Sequence, residues 1–126
     1  GSLDGLPRST QENVRKAIEL TQENRNLILN IAFNYGGRAE LANAIRQILK
    51  DGTPVECISE ELVERHLFTA GQPHPDLIIR TAGEIRLSNF MLWQSAGSTL
   101  YATEVYWPDF DENELLLALQ FFSDHQ

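Results

Sequence analysis

The sequence predicts an α/β fold in which a parallel sheet is flanked by helices. Short apolar segments that are typical of strands alternate along the chain with segments whose apolar residues recur at helical intervals. Strands that are separated by helices are joined by crossover connections and therefore run parallel. The segment "LILNIAF", residues 27–33, is aliphatic almost throughout, as expected of a strand covered on both faces. The length of 126 residues, 42% of them hydrophobic, fits one domain.

The amino-terminal part is predicted to form a helix, a strand and a second helix. Ser9 and Glu12 have the spacing of a capping box, and the apolar residues that follow predict a helix over residues 10–24. The strand at 27–33 ends in "NYGGR". The helix after this motif ends near Lys50, a cation suited to a last helical turn.

The remainder of the chain is predicted to contain three helices and two strands. A short helix runs from the cap Ser59 to about Leu67, and a strand follows at 76–80. Next come a helix through "FMLWQ", capped by Ser88 or Asn89, and a strand near "TEVYW". A terminal helix begins after Asp111. Three strands make a small parallel sheet, and strands covered on both faces need neighbours. We therefore expect the chain to be part of a larger sheet.

Composition excludes several classes of function. The formal net charge of −8 repels a phosphate backbone, so we expect no nucleic-acid partner. No apolar stretch reaches the roughly 20 residues of a membrane span, and the start of the chain lacks a signal-peptide pattern. Cys57 is the only cysteine, which excludes an internal disulfide and favours a cytoplasmic location. Gly1 and Ser2 resemble a cloning scar, so the natural sequence is expected at residues 3–126.

The loop after the second predicted strand is a candidate anion site. Arg80 directly follows an apolar strand and leaves the sheet at its carboxyl edge, where open parallel sheets bind ligands. Arg86 and Ser88 add a second cation and a hydroxyl, and the next helix would add free amides. Two guanidinium groups and a hydroxyl suit a diphosphate. Alternatively, Glu84 or Asp76 braces one arginine internally, and the residue pattern alone leaves the two interpretations even.

The "NYGGR" motif is a second, weaker candidate. Gly36 and Gly37 allow backbone amides to converge on an anion at a helix N-terminus, and Arg38 could add further donors. A plain turn with a solvated arginine explains the same residues, and the motif alone favours that interpretation.

Three ordered segments resemble one enzyme family. They are "NIAFNYGGRAEL", "PDLIIRTAGEIRLSNFMLWQ" and "LYATEVYWPDFDE". From about Leu6 to its end, the sequence is similar to the carboxyl-terminal half of the cis-prenyltransferases, the undecaprenyl and decaprenyl diphosphate synthases. The resemblance implies that residues 3–126 are the carboxyl-terminal portion of a single domain, about half of a cis-prenyltransferase fold.

The resemblance also implies an activity and its partners. These enzymes condense isopentenyl diphosphate with an allylic diphosphate to make the polyprenyl carrier lipid of cell-wall synthesis. They use Mg²⁺ and work as dimers, so we expect a homodimer that contacts the membrane at most peripherally, through its product.

The resemblance implies roles for the residues of this chain that match the family's motifs. Arg80, Arg86 and Ser88 match the positions that hold the diphosphate of isopentenyl diphosphate, and Glu84 matches an acidic position with a supporting role. The residues expected to shape the pocket floor are Asn34, Gly36, Gly37 and Arg38.

Two departures from the family pattern limit what the chain can do alone. Thr99 stands where the family has a glutamate that helps to hold Mg²⁺, and a hydroxyl is a poorer magnesium ligand than a carboxylate. The family's Asp-Gly-Asn-Gly-Arg motif, with its catalytic aspartate, does not occur in the sequence. We therefore assign no catalytic residue or metal ligand, and expect the chain alone, as a fragment or shortened homologue, to be inactive. The alternative is a non-catalytic subunit of a heteromeric cis-prenyltransferase.

Overall fold

The computed structural model describes every residue from 1 to 126 and divides into two compact units. The first unit is Gly1–Gly36 and the second is Gly37–Gln126. Both strands and all helices except the first belong to the second unit. No helix is both long enough and apolar enough to cross a bilayer.

The first unit contains one helix, α1, at Arg8–Thr21. It begins two residues before the predicted start at 10 and ends three before the predicted end at 24. Pro7 precedes it, and no side chain caps its first turn, so the predicted capping box of Ser9 and Glu12 is not formed. Pro7 is the N-cap residue, with a φ of −54° and an extended ψ of 142°, as is typical of that position.

The predicted strand at 27–33 is wrong. The protein has one sheet of two strands, and this segment belongs to neither strand. Its aliphatic side chains are largely in water: Leu27 is 79% exposed, Ile28 69% and Leu29 77%. The run of apolar residues fits a buried strand, but a strand also requires a neighbouring strand to satisfy its backbone.

The second unit contains three α-helices and three short 3₁₀ turns. The helices are α2 at Gly37–Lys50, α3 at Glu60–Glu64 and α4 at Glu112–Asp124, and the 3₁₀ turns are Val55–Cys57, Gln94–Gly97 and Trp107–Asp109. Two predicted caps are confirmed. The hydroxyl of Ser59 accepts from the Leu62 N–H at 3.3 Å, and the carboxylate of Asp111 accepts from the Glu114 N–H at 3.0 Å.

The sheet consists of two parallel strands, β1 at Leu77–Arg80 and β2 at Thr99–Ala102. In their register, Leu77 lies opposite Thr99 and Arg80 opposite Ala102. This confirms the predicted parallel sheet and the strand at 76–80. The strand expected near "TEVYW" lies four residues earlier, at the residues that pair with β1.

The predicted helix through "FMLWQ" is also wrong. Ser88, Asn89 and Met91 have φ values of 49°, 65° and 46°, which a right-handed helix cannot contain. Only the 3₁₀ turn at Gln94–Gly97 follows. The free helix N-terminus expected beside Arg86 is therefore absent.

The core of the second unit combines apolar residues with one buried polar pair. Its buried apolar residues are Ala44, Ile48, Leu67, Ile78 and Ala118. Glu40 and Gln94 are each 1% exposed, and the Gln94 amide donates to both Glu40 carboxylate oxygens, at 3.2 and 3.1 Å. The Phe68 N–H also donates to Glu40, at 2.9 Å, and Gln94 donates to the Thr69 hydroxyl. These bonds satisfy a carboxylate that would otherwise be costly to bury.

Candidate functional site

Strand pairing places Arg80 at the carboxyl edge of the sheet. It is the last residue of β1, and its carbonyl accepts from the Thr103 N–H at 2.9 Å. Its side chain is 32% exposed and donates through Nη2 to the Ser88 hydroxyl at 3.2 Å. The same nitrogen lies 3.5 Å from Glu84 Oε2. The Nε atom of Arg80 is buried and has no hydrogen-bond partner.

Glu84 connects the two arginines. Arg86 donates to it with two nitrogens, through Nε to Oε2 at 2.5 Å and through Nη2 to Oε1 at 3.0 Å. The hydrogen bond from Arg86 lowers the pKa of Glu84 below its ordinary value, and the charges of both arginines act in the same direction against partial burial. The predicted internal brace is therefore present and comes from Glu84. Asp76, the other candidate, forms no ion pair.

The two arginines differ in their exposure and in the number of side chains they bind. Arg86 is 74% exposed and reaches only Glu84, whereas Arg80 is held by Glu84 and by Ser88. The structure thus brings together all four residues predicted for the diphosphate site: Arg80, Glu84, Arg86 and Ser88. The brace and an anion clamp are compatible, since each guanidinium has more donors than Glu84 uses.

Glu104 is a neighbour of this loop that sequence analysis missed. A Cβ atom on Gly83 would lie 2.6 Å from its Oε2, so a larger residue at this position would require the Glu104 side chain to shift. Gly83 has a φ of +69° and donates its N–H to the Thr103 carbonyl at 2.9 Å. Glu104 lies just beyond the carboxyl end of β2, but the misplaced prediction of that strand put it inside the sheet.

Asn89 has an unexpected role at the start of α2. Its carbonyl accepts from the Gly37 N–H at 2.7 Å, and its side-chain oxygen accepts from the Arg38 N–H at 2.9 Å. A residue predicted to cap its own helix therefore caps a helix 51 positions away. Two amides that could have bound an anion after "NYGGR" are occupied by Asn89, which argues against the anion site predicted there.

The residues of "NYGGR" fall on both sides of the boundary between the two units. Asn34 and Gly36 end the first unit, and Gly37 and Arg38 begin α2 in the second. Gly37 is buried, and a Cβ atom there would lie 2.8 Å from Leu92 Cγ, so this glycine permits close packing. Their role in shaping a pocket floor stays a prediction.

Thr99 is far from the arginines along the strand direction. It begins β2 opposite Leu77, whereas Arg80 ends β1, so about 10 Å separates their positions along the ladder. No group of three His, Cys, Asp or Glu side chains is close enough to hold a metal ion.

A cavity of about 400 Å³ lies elsewhere, next to α3. Glu61 and Glu64 line it, and His74 pairs with Glu64 at 3.3 Å. None of the predicted site residues lines this cavity. Arg65 lines it as well, so its charged residues sum to −1, whereas Arg80, Arg86 and Glu84 sum to +1 and make the arginine loop the better anion site.

Comparisons with known proteins agree with the fold and the motifs. The Prenyltransf family model, which describes undecaprenyl diphosphate synthases, matches residues 1–126. An isoprenyl transferase of Halalkalibacterium halodurans is 51% identical over 123 residues, which are 94% of this chain and 48% of the relative. Another, from Bacillus thuringiensis subsp. konkukian, is 48% identical over 126 residues, 97% of this chain and 49% of the relative. The chain thus spans about half the length of the curated relatives it matches.

Two solved structures share the architecture. Lavandulyl diphosphate synthase from Lavandula x intermedia, crystallised with dimethylallyl diphosphate, is 38% identical with a TM-score of 0.90, covering 97% of this chain and 54% of that one. A probable undecaprenyl diphosphate synthase from Campylobacter jejuni is 27% identical with a TM-score of 0.83, covering 100% of this chain and 58% of that one. The predicted half of a cis-prenyltransferase fold is confirmed. Together with the match over the whole chain, this shows that the chain belongs to the undecaprenyl diphosphate synthase family of isoprenyl transferases.

Proposed function

We propose that the chain supplies the isopentenyl diphosphate-binding part of a cis-polyprenyl diphosphate synthase. The parent enzyme would condense isopentenyl diphosphate with an allylic diphosphate to form a polyprenyl diphosphate. The observation that carries the proposal is the guanidinium of Arg80, which lies at the end of β1 with its side chain 32% exposed and uses only Nη2 to bind Glu84 and Ser88. Its other terminal donors could bind an anion.

The loop has the charge and geometry for a diphosphate. Arg80 and Arg86 supply two planar forks of donors, and the Ser88 hydroxyl lies 3.2 Å from Arg80 Nη2. Glu84 keeps the guanidinium groups ordered, which lowers the entropic cost of binding. The dimethylallyl diphosphate in the lavandulyl diphosphate synthase structure supports an isoprenoid diphosphate as the class of ligand.

The residues of this chain would bind and orient one of the two substrates. Arg80 and Arg86 would neutralise the diphosphate of isopentenyl diphosphate and hold its double bond against the allylic carbon. The new carbon–carbon bond forms as the allylic diphosphate leaves, and loss of a proton completes the step. No residue of this chain is assigned to proton removal.

Magnesium belongs to the proposal for the whole parent enzyme. Mg²⁺ would assist departure of the allylic diphosphate. In such sites Mg²⁺ is usually held by one or two carboxylates together with the phosphates of the substrate. A homodimer, a cytoplasmic location and a product that serves as a cell-wall carrier lipid are likewise proposed for the parent enzyme.

The test is to replace each arginine in the complete protein encoded by the gene. Arg80→Ala and Arg86→Ala should each raise the KM for isopentenyl diphosphate by about tenfold to a hundredfold, as expected for a lost charged hydrogen bond. Arg46→Ala, at an exposed position on α2, is the matched control and should leave the KM unchanged. Unaltered KM values in both site variants would contradict the proposal.

A non-catalytic subunit of a heteromeric cis-prenyltransferase is the second candidate. It is favoured by Thr99, which replaces the carboxylate that the family resemblance leads one to expect. The upstream coding sequence distinguishes the two: an Asp-Gly-Asn-Gly-Arg motif supports the enzyme, and its replacement supports the subunit.

The isolated chain of 126 residues should not elongate isoprenoids under either candidate, since it lacks the catalytic aspartate. Incorporation of labelled isopentenyl diphosphate by this chain alone would contradict that expectation.

A further inference from the structure

The loop that carries Ser88 has an unusual backbone. Ser88 and Asn89 are consecutive non-glycine residues with positive φ, 49° and 65°, and Met91 follows with 46°. Each such residue costs about 1 kcal/mol or more and persists only where the surroundings enforce it. The loop must therefore be held in place by contacts outside itself.

The amino-terminal turn of α2 supplies those contacts. Asn89 binds it with two groups, its carbonyl at 2.7 Å from the Gly37 nitrogen and its side-chain oxygen at 2.9 Å from the Arg38 nitrogen. Five positions along the loop, Gln94 binds the buried Glu40 of the same helix. The missing side chain of Gly37 lets the loop pack directly on the helix.

This attachment determines where the Ser88 hydroxyl lies. Ser88 immediately precedes Asn89, so fixing the backbone of Asn89 also fixes that of Ser88. The hydroxyl then accepts from Arg80 Nη2 at 3.2 Å. Without the attachment, Ser88 would relax toward negative φ, and its Cα–Cβ bond would turn to a new direction.

We propose that Asn89 is a positioning residue for the anion site: through its own positive φ and its backbone and side-chain bonds to α2 it holds Ser88 in its left-handed conformation and directs the Ser88 hydroxyl at Arg80. Asn89 itself need not touch the ligand. The inference rests on the proposed function, because it assumes that Arg80 and Ser88 bind a diphosphate.

Asparagine is suited to this task for two separate reasons. It tolerates positive φ better than most residues, and its side-chain oxygen is a good cap for a helix N-terminus. Two substitutions separate these properties. Asn89→Ala loses both, whereas Asn89→Gly keeps easy access to positive φ and the backbone bond to Gly37 while losing the side-chain cap.

The experiment measures isopentenyl diphosphate binding by titration calorimetry on the complete protein. Asn89→Ala should weaken binding by roughly threefold to tenfold, the equivalent of one neutral hydrogen bond. Asn89→Gly should weaken it by less than about threefold, since positive φ stays accessible. In a Ser88→Ala background, Asn89→Ala should change the affinity by less than about twofold, because the hydroxyl it positions is gone.

Asp111→Ala is the matched control, because it removes the cap of α4 rather than that of α2. It should lower the melting temperature and leave the affinity unchanged, which separates positioning from general destabilisation.

Each other outcome has a definite meaning. If Asn89→Ala weakens binding equally with and without the Ser88 hydroxyl, the positioning role is wrong. If Arg80→Ala weakens binding and Asn89→Ala does not, the positioning role is wrong and the anion site stands. If Arg80→Ala leaves the affinity unchanged, the proposed function fails, and the role of Asn89 fails with it.

Discussion

At the scale of single residues, Glu84 links the stability of the arginine loop to pH. Its pKa lies below the ordinary 4.5, first because of the hydrogen bond from Arg86. A carboxylate whose pKa is depressed by folding stabilises the folded state above its unfolded pKa, and this contribution disappears as the pH falls through the folded value. The loop is therefore most strongly braced at neutral pH.

Glu84→Gln tests this dependence. The variant should melt at a lower temperature than the wild type above pH 4.5, and the difference should shrink as the pH falls below 4.5, where the wild type also loses its charge. Thermal unfolding followed by circular dichroism at a series of pH values measures the difference. A gap that stays constant down to pH values well below 4.5 would show that the charge of Glu84 contributes nothing.

Gly83 allows a second test at the residue scale. Gly83→Ala introduces a Cβ atom 2.6 Å from Glu104 Oε2 at a φ of +69° and should destabilise the protein by about 1–2 kcal/mol. Gly71→Ala is the matched control, because Gly71 has a φ of +78° with nothing within 4 Å. Urea unfolding should show a larger loss for Gly83→Ala than for Gly71→Ala. Equal losses would mean that Glu104 moves away without cost.

At the scale of secondary-structure elements, the features that depend on local sequence were predicted well. Ser59 and Asp111 cap the helices they immediately precede, because each satisfies an amide three residues away. Arg80 was placed correctly because the apolar strand before it is short and ends in a polar loop. Because Glu84, Arg86 and Ser88 follow Arg80 closely in the sequence, placing Arg80 at the end of the strand also placed these three residues in the same loop.

Most of the errors concern features that depend on distant partners, although the capping box of Ser9 and Glu12 is a local feature that did not form. Asn89 has the chemistry of a cap, but the amide that its side chain caps, that of Arg38, lies 51 positions earlier. The residues around Asn89 do not indicate such a distant partner. Residues 27–33 have the composition of a buried strand, but composition does not show whether a neighbouring strand is present to pair with them. The sheet contains only β1 and β2. Glu104 was missed because its approach to Gly83 depends on the register of two strands.

The buried pair of Glu40 and Gln94 gives a prediction at this scale, since it ties α2 to the turn before β2. Glu40→Ala removes the carboxylate that accepts from the Phe68 N–H and leaves the Gln94 amide only the Thr69 hydroxyl as acceptor, so it should cost about 2–4 kcal/mol. Glu40→Gln keeps the shape and one acceptor oxygen, so it should cost less. Urea unfolding compares the two variants, and equal costs would show that the carboxylate adds no more than packing.

At the scale of the whole molecule, the chain exposes much apolar surface. The exposed aliphatic residues include Leu27, Ile28, Leu29, Ile31, Ile45 and Leu49. Ile45 and Leu49 are four positions apart on α2 and so share one face of that helix. Exposed apolar area of this kind promotes association.

We therefore expect the isolated chain to self-associate. Its mass in sedimentation equilibrium should rise with concentration, and the double substitution Ile45→Lys with Leu49→Lys should reduce this rise. The double substitution Ala42→Lys with Arg46→Ala, at exposed positions of the same helix, is the control and should not. A monomer mass at every concentration would contradict the expectation.

The contacts between Glu84 and the two arginines also affect which anions the proposed site would bind. In the proposed anion site, Glu84 already uses some of the donors of both guanidinium groups, so a ligand would bind the remaining donors and compete with Glu84 for the others. A small ligand with a single negative charge carries no more charge than Glu84, so it gains little binding free energy by displacing the Glu84 carboxylate. A diphosphate carries more charge and more acceptor oxygens than Glu84 and can engage both guanidinium groups together. The contacts of Glu84 with both arginines would thus favour a diphosphate over singly charged anions as the ligand of the loop.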